Sequence, residues 1–166
     1  MSEPDKPQAV PVPPDARACA VATPVGLLTV IANHQAVIRI AWGRPACMAG
    51  NAPLLEAARA QIVAYFAHRL KRFTLPLAPQ GSAFAQHVWE ALCRIPYGRT
   101  VSYGALAADL GSSPRAIGRA VGANPIPIVI PCHRVVGADG RLVGYSGGGG
   151  LATKRALLLH EDALLR

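Results

Sequence analysis

A cysteine followed at once by a histidine, Cys132-His133 within Pro131-Cys132-His133-Arg134-Val135-Val136, is where residue types and spacing in this chain could do covalent chemistry. The thiolate is the reactive form of cysteine, and at neutral pH it needs a base or a positive environment, which His133 and Arg134 could supply. Ahead of it the run Ile126-Pro127-Ile128-Val129-Ile130 is apolar and β-branched, and reads as a short buried strand delivering Cys132 to the interior. Pro131 has no N–H and fixes one backbone angle, so the strand should stop there. A buried cysteine is more often a small hydrophobe than a nucleophile, and the pair alone does not decide between the two. A cysteine hydrolase is disfavoured, because sequence neighbours rarely form such a dyad and no oxyanion-hole motif accompanies them.

The other cysteines, Cys19, Cys47 and Cys93, make no C-x-x-C pair, and without a secretory context all four should be free thiols. Cys19, Cys47 and His34 could meet at a zinc ion only with spacings unlike those of structural zinc sites, so no metal is expected. The N-terminus is polar and broken by proline, and no apolar run reaches the length of a spanning helix; a cytoplasmic protein is expected.

Placing the Cys-His pair falls to a chain of 166 residues, 51% of them hydrophobic, enough for one compact domain or two small lobes. The net charge of +8 and a pI of about 9.9 favour an anionic partner such as nucleic acid. Eight of the Lys and Arg residues fall in 1–80 and nine in 81–166, so any DNA-binding face must be made by folding rather than by a tail. Five prolines by residue 15 mark residues 1–17 as a disordered lead. Apolar segments at 27–32 and 37–42 flank Asn33-His34-Gln35 and predict a hairpin. Residues 53–70 then carry Leu54, Leu55, Ala58, Ile62, Tyr65, Phe66 and Leu70 at helical spacing. This first lobe, residues 18–78, reads as scaffold, with His34 and His68 at its surface, and residues 75–81 read as a connector.

In the second lobe, residues 82–166, Ser82 is placed to cap a helix running to about residue 93, with Phe84, Val88, Trp89 and Leu92 on one face. After a turn at 95–98, Thr100-Val101-Ser102-Tyr103-Gly104 leads into a helix over 105–110. Gly111-Ser112-Ser113-Pro114 breaks it, and Pro114 suits the first turn of a second helix over 115–121. Two short helices across a tight turn are a helix-turn-helix pattern. Arg115 and Arg119, four apart, share a face, with Ala116 and Ala120 beside them, small enough for close approach of a nucleic-acid backbone.

The ordered set VSYG at Tyr103, RAIG at Arg115, Asn124-Pro125, PCHRVV at Cys132, Tyr145-Ser146-Gly147-Gly148 and His160-Glu161 resembles the O6-alkylguanine-DNA alkyltransferase family. The resemblance is specific over 81–161 and looser over 18–77. It implies an α/β (α+β) chain: a small N-terminal β-sheet and helix lobe, ribonuclease H-like, then a C-terminal helical lobe with a winged helix-turn-helix-like motif. It implies irreversible, single-turnover transfer of an alkyl group from O6-alkylguanine in double-stranded DNA to Cys132, with base flipping, no cofactor, and a monomer bound through the minor groove. O4-alkylthymine is left open as a second substrate.

The same resemblance implies the residue roles. His133 would take the thiol proton through a water, oriented by Glu161, while Asn124 would tie the helix pair to the active-site segment. Tyr103 would lie by the flipped base and its phosphate. Backbone groups of Cys132, Val135 and Ser146 would read the guanine edge, and Tyr145 and Pro127 would wall the alkyl group. Arg115 would fill the space vacated by the base, and Arg119 would meet a phosphate. A non-catalytic module of the alkyltransferase-like type is the alternative; such proteins lack the cysteine that this chain has.

Overall fold

The computed structural model describes residues 9–48 and 52–165. The chain divides into a first compact unit ending at Ala78 and a second beginning at Pro79.

In the first unit, β1 (Arg17–Thr23), β2 (Gly26–Ala32) and β3 (Val37–Trp42) form an antiparallel sheet in that order. The expected hairpin is β2–β3, and Asn33 makes its turn: Oδ1 accepts from the backbone amides of both Gln35 and Ala36 at 2.8 Å. β1 was not foreseen. Three of the seven residues of its sequence, RACAVAT, are alanine, a poor strand signal, and pairing with β2 along its whole length supplies what propensity does not. Helix α1 (Pro53–Phe66) packs on the sheet through Leu55, Ala58, Ile62 and Tyr65. It ends four residues before the expected limit, and His34 and His68 are exposed.

Of the expected disordered lead, residues 1–8 lie outside the described residues, and over 9–17 the structure corrects it. Val10 exchanges backbone hydrogen bonds with Arg44 and Ala46, both 2.8 Å, and packs with Ala16, Ala18 and Ile31. The prolines there do not prevent order, because Val10 supplies the amide, carbonyl and apolar side chain that dock. At the other end of the unit, the first residues of the expected connector are also paired: Val37 donates to Pro76 O and accepts from Ala78 N.

The second unit opens with α2 (Ala83–Cys93). The helix pair follows as α3 (Tyr103–Asp109) and α4 (Pro114–Gly122), and α5 (Leu151–His160) comes last. Serine caps the first three: the hydroxyls of Ser82, Ser102 and Ser113 accept from the backbone amide three residues on. The cap at Ser102 starts α3 at Tyr103, two residues earlier than expected. Two-residue strands β4 (Val101–Ser102) and β5 (Val135–Val136) pair in parallel, and a tight turn closed by Gly137 N to Arg141 O at 2.7 Å follows β5. No helix among the described residues is long and apolar enough to cross a membrane.

The expected strand at 126–130 is absent. The segment is fully buried but curls on itself, with Ile130 N donating to Ile126 O at 2.9 Å and Ile128 at φ +74°. The β-branched run reports burial, which several backbone shapes satisfy; the strand lies on the far side of Cys132, at β5.

Candidate active site

Cys132–Arg134 forms a single 3-10 turn between Pro131 and β5. The Cys132 amide donates to Ile130 O at 2.8 Å, and the Asn124 side chain donates from Nδ2 to that same carbonyl at 2.9 Å. Asn124 Oδ1 also accepts from Ile126 N at 3.0 Å. One amide side chain thus splints the end of α4 to the curled segment that carries the cysteine. Cys132 is buried, and burial pushes its thiol pKa up, against the opposing effects of Asn124, Lys154 and the backbone amides of Cys132 and His133. The resting group is a neutral thiol that needs a base.

The base stands next to it. His133 is 0% exposed, with Nε2 2.9 Å from Glu161 Oε1. Burial holds the imidazole pKa below its ordinary value, outweighing Glu161, so the ring is neutral. Glu161 feels burial first too, but hydrogen bonds from His133 and Arg134 outweigh it and hold the carboxyl well below the usual range. An ionised carboxylate only accepts, so the His133 proton resides on Nε2 and Nδ1 keeps its lone pair. Nδ1 is buried and has no hydrogen-bond partner among the described residues.

Arg134, expected as a positive neighbour of the thiolate, turns instead to Glu161. Its Nε and Nη2 reach the two carboxylate oxygens at 2.9 Å each, and Nη1 donates to Ile95 O at 2.7 Å. Arginine's planar fork matches a carboxylate, which explains the choice. Gly98, at φ +77°, lets the chain pass close: an added Cβ would come 3.0 Å from the Glu161 carbonyl.

The cation that does face the thiol is Lys154. It is 0% exposed, and its Nζ donates to Val135 O at 2.6 Å, Val143 O at 2.8 Å and Gly144 O at 3.4 Å. Burial lowers its pKa to about 8, with Cys132 opposing. Sequence reading passed over it, although Lys154, Leu157, Leu158 and Glu161 at i, i+3, i+4 and i+7 place it on the buried face of α5. By gripping Val143 and Gly144 it holds the segment that leads into Tyr145 and Ser146.

Tyr103 is half-buried at the start of α3; its hydroxyl donates to Val143 O at 3.4 Å, and Lys154 Nζ lies 5.7 Å from its ring centre. Pro127 is buried, Tyr145 half-buried and Ser146 exposed. Val135, expected to read a base edge, has its amide bonded to Cys132 O and its carbonyl to Lys154, leaving one lone pair. On α4, Arg115 and Arg119 are exposed and Ala116 is half-buried. Ala120 is corrected: it is 6% exposed and belongs to the core face with Ile117 and Val121, so it cannot line a nucleic-acid surface. Among the described residues no group of three or more His, Cys, Asp or Glu could hold a metal ion.

The state of His133 makes stability depend on pH. In the unfolded chain it takes a proton near pH 6.5, whereas the folded pKa is lower, so the unfolded state binds more protons as pH falls through that value. The unfolding free energy should therefore decline below pH 6.5, by up to about 1.4 kcal/mol per pH unit, and the urea midpoint with it. Glu161, with its folded pKa depressed, adds a further loss below its unfolded value of 4.5. A midpoint flat from about pH 7 to about pH 5 would mean that folding does not depress the His133 pKa.

Two family models match the chain. The 6-O-methylguanine DNA methyltransferase DNA-binding domain matches residues 83–163, and the ribonuclease-like domain of the same proteins matches residues 20–79. Among curated relatives, a methylated-DNA–protein-cysteine methyltransferase of Methanosarcina barkeri is 39% identical over 155 residues, covering 88% of this chain and 97% of the relative. One of Mycolicibacterium paratuberculosis is 44% identical over 149 residues, covering 85% and 89%. The crystal structure of Mycobacterium tuberculosis OGT in complex with DNA superposes with a TM-score of 0.78 at 38% identity, covering 93% of this chain and 94% of that one. Models of one set of proteins match both units, and the chain belongs to the 6-O-methylguanine DNA methyltransferase family.

Proposed function

We propose that this protein repairs DNA directly, by transferring the alkyl group of O6-alkylguanine in duplex DNA to Cys132, once per protein molecule and without a cofactor. The observation that carries the reading is the His133 ring: buried, neutral, its Nε2–H committed to Glu161, its Nδ1 lone pair unused, and one residue along the chain from a buried thiol.

The chemistry follows from those groups. Guanine O6 within a duplex is out of reach of a buried sulfur, so the nucleotide is extruded into the pocket at the cost of unstacking, which a poorly paired lesion reduces. His133 Nδ1 takes the Cys132 proton through an intervening water, since no direct bond joins the two side chains, and Glu161 balances the imidazolium as it forms. Sulfur then bonds to the alkyl carbon while the carbon–O6 bond breaks. Its electron pair leaves with guanine, and the proton is returned there, the Tyr103 hydroxyl donating to the base. Lys154 faces the thiolate as it develops. The product is a thioether, and no group in the site can reverse it.

On the DNA side, α4 enters the minor groove, with Arg115 filling the gap left by the base and Arg119 on a phosphate. Both are exposed on a helix capped by Ser113, with the apolar residues of α4 turned inward. The free thiols suit a reducing compartment, and we place the protein in the cytoplasm, acting as a monomer.

The deciding test is the intact mass after incubation with duplex containing O6-methylguanine. Gain of one methyl group on the Cys132 peptide is expected; tight binding with no mass change would favour a recognition module instead. The two arginines separate by substrate. Arg115→Ala should slow duplex repair strongly and leave reaction with free O6-benzylguanine nearly unchanged, since that substrate needs no flipping. Arg119→Ala should weaken binding to all duplexes alike and reduce the salt slope by roughly one. If the two variants exchange these phenotypes, the roles are exchanged.

A further inference from the structure

We infer that Trp89 is a positioning residue for duplex repair: reaching across from α2, it fixes the end of α4 and with it the place where α4 meets DNA. The inference rests on the transfer reading above and adds to it a residue that touches neither DNA nor the reacting atoms.

Trp89 is 2% exposed, and its indole Nε1 donates to Ala120 O at 2.8 Å in buried surroundings. Ala120 lies in the last turn of α4, where helix carbonyls run out of following amides. There Ala123 N bonds to Arg119 O, and Asn124 N turns to Val121 O at 3.3 Å, so Trp89 supplies Ala120 with a donor from a neighbouring helix. Apolar packing through Ile117 and Val121 holds α4 in place but is non-directional and tolerates a small slide or roll. The indole N–H···O bond adds a directional tie within the last turn, beside the one Asn124 makes just past it.

The ring itself is held still. The chain crosses the indole at Gly81, where an added Cβ would come 2.4 Å from Cη2 and 2.7 Å from Cζ3. With Gly81 over one part of the ring and Ala120 on its nitrogen, the indole links the entry to α2 with the exit from α4.

α4 is a continuous nine-residue helix, so a shift at Ala120 is carried to Arg115 more than one turn away. The reacting groups have their own ties. Asn124, just past the end of α4, binds Ile130 O and Ile126 N, and Glu161 binds His133 and Arg134; none of these bonds is made to Trp89. Asn124 pins the far end of α4 by its own two bonds, so loss of the indole N–H should disturb the DNA-facing part of the helix more than the pocket.

Trp89→Phe keeps an aromatic ring and removes the donor. Single-turnover rates would be compared on O6-methylguanine duplex and on free O6-benzylguanine, alongside the melting temperature. Duplex repair should fall about tenfold, while the free-base rate stays within about twofold of wild type. A merely structural residue would lower both rates together with stability. A parallel fall in both rates, or an unchanged ratio between them, overturns the inference. Should Trp89→Phe fail to fold, Gly81→Ala, which pushes the ring from its other side, carries the same test with the same two outcomes. If wild-type protein takes an alkyl group from neither substrate, the transfer reading fails and this inference with it; if it reacts and only the ratio is unmoved, the inference alone fails.

Discussion

Cys132→Ala is expected to abolish alkyl transfer completely while leaving affinity for O6-methylguanine duplex little changed. The thiol is the only atom of the site able to form the new bond, and the groups proposed to hold DNA lie on α3 and α4. Structural cost should be small. Cys132 sits in packed surroundings, but the sulfur is one atom and is neutral at rest, so removing it leaves no buried charge unpaired; about 1 kcal/mol is a fair figure for so small a truncation. A single-turnover assay beside a binding titration checks both halves. Residual transfer in the variant would mean that another nucleophile serves, and Cys93 would be the first to examine by peptide mass.

Glu161→Gln should be the most damaging single change to stability that leaves side-chain volume intact. The carboxylate takes two hydrogen bonds from Arg134 and one from His133, all at 2.9 Å. An amide offers one oxygen where two are used, and presents an NH2 group to a guanidinium. Breaking a buried pair from one side typically costs about 3–5 kcal/mol, because the remaining charge stays desolvated. Activity should fall as well, by about 10²–10⁴-fold, since an imidazolium formed at His133 would lose its counter-charge. The urea midpoint and the single-turnover rate on free O6-benzylguanine are the measurements. Near-normal values of both would show that Arg134 and His133 are satisfied without the carboxylate.

Much of this could be read before any coordinates. The hairpin at β2–β3, the α1 helix, the Ser82 cap and the helix pair broken at Gly111–Pro114 all follow from local rules, in which a turn, cap or apolar stripe is specified by residues a few positions apart. The Cys132-His133 pair likewise announces itself by adjacency. Where local signals are weak or shared between shapes, sequence reading missed. β1, with alanine at every second position, is made by its partner, residues 9–17 are ordered by docking to Arg44 and Ala46, and the buried run at 126–130 is a turn.

The site shows the same division. Residue types around Cys132 determined that a thiol, a base and one cation, Arg134, would be close in sequence. Only the tertiary structure decided which cation goes to which partner: Arg134, two positions past the cysteine, is taken up by Glu161 27 positions further on, and Lys154, 22 positions from the cysteine, faces the thiol. The reason is physical. A short-range pattern fixes backbone direction, but a buried charge goes wherever long-range packing leaves it a partner of matching geometry, because leaving it unpaired costs more than any local preference can return. That rule turns Arg134 away from its neighbour, assigns the His133 tautomer through Glu161, and draws Lys154 inward to the carbonyls of Val135 and Val143.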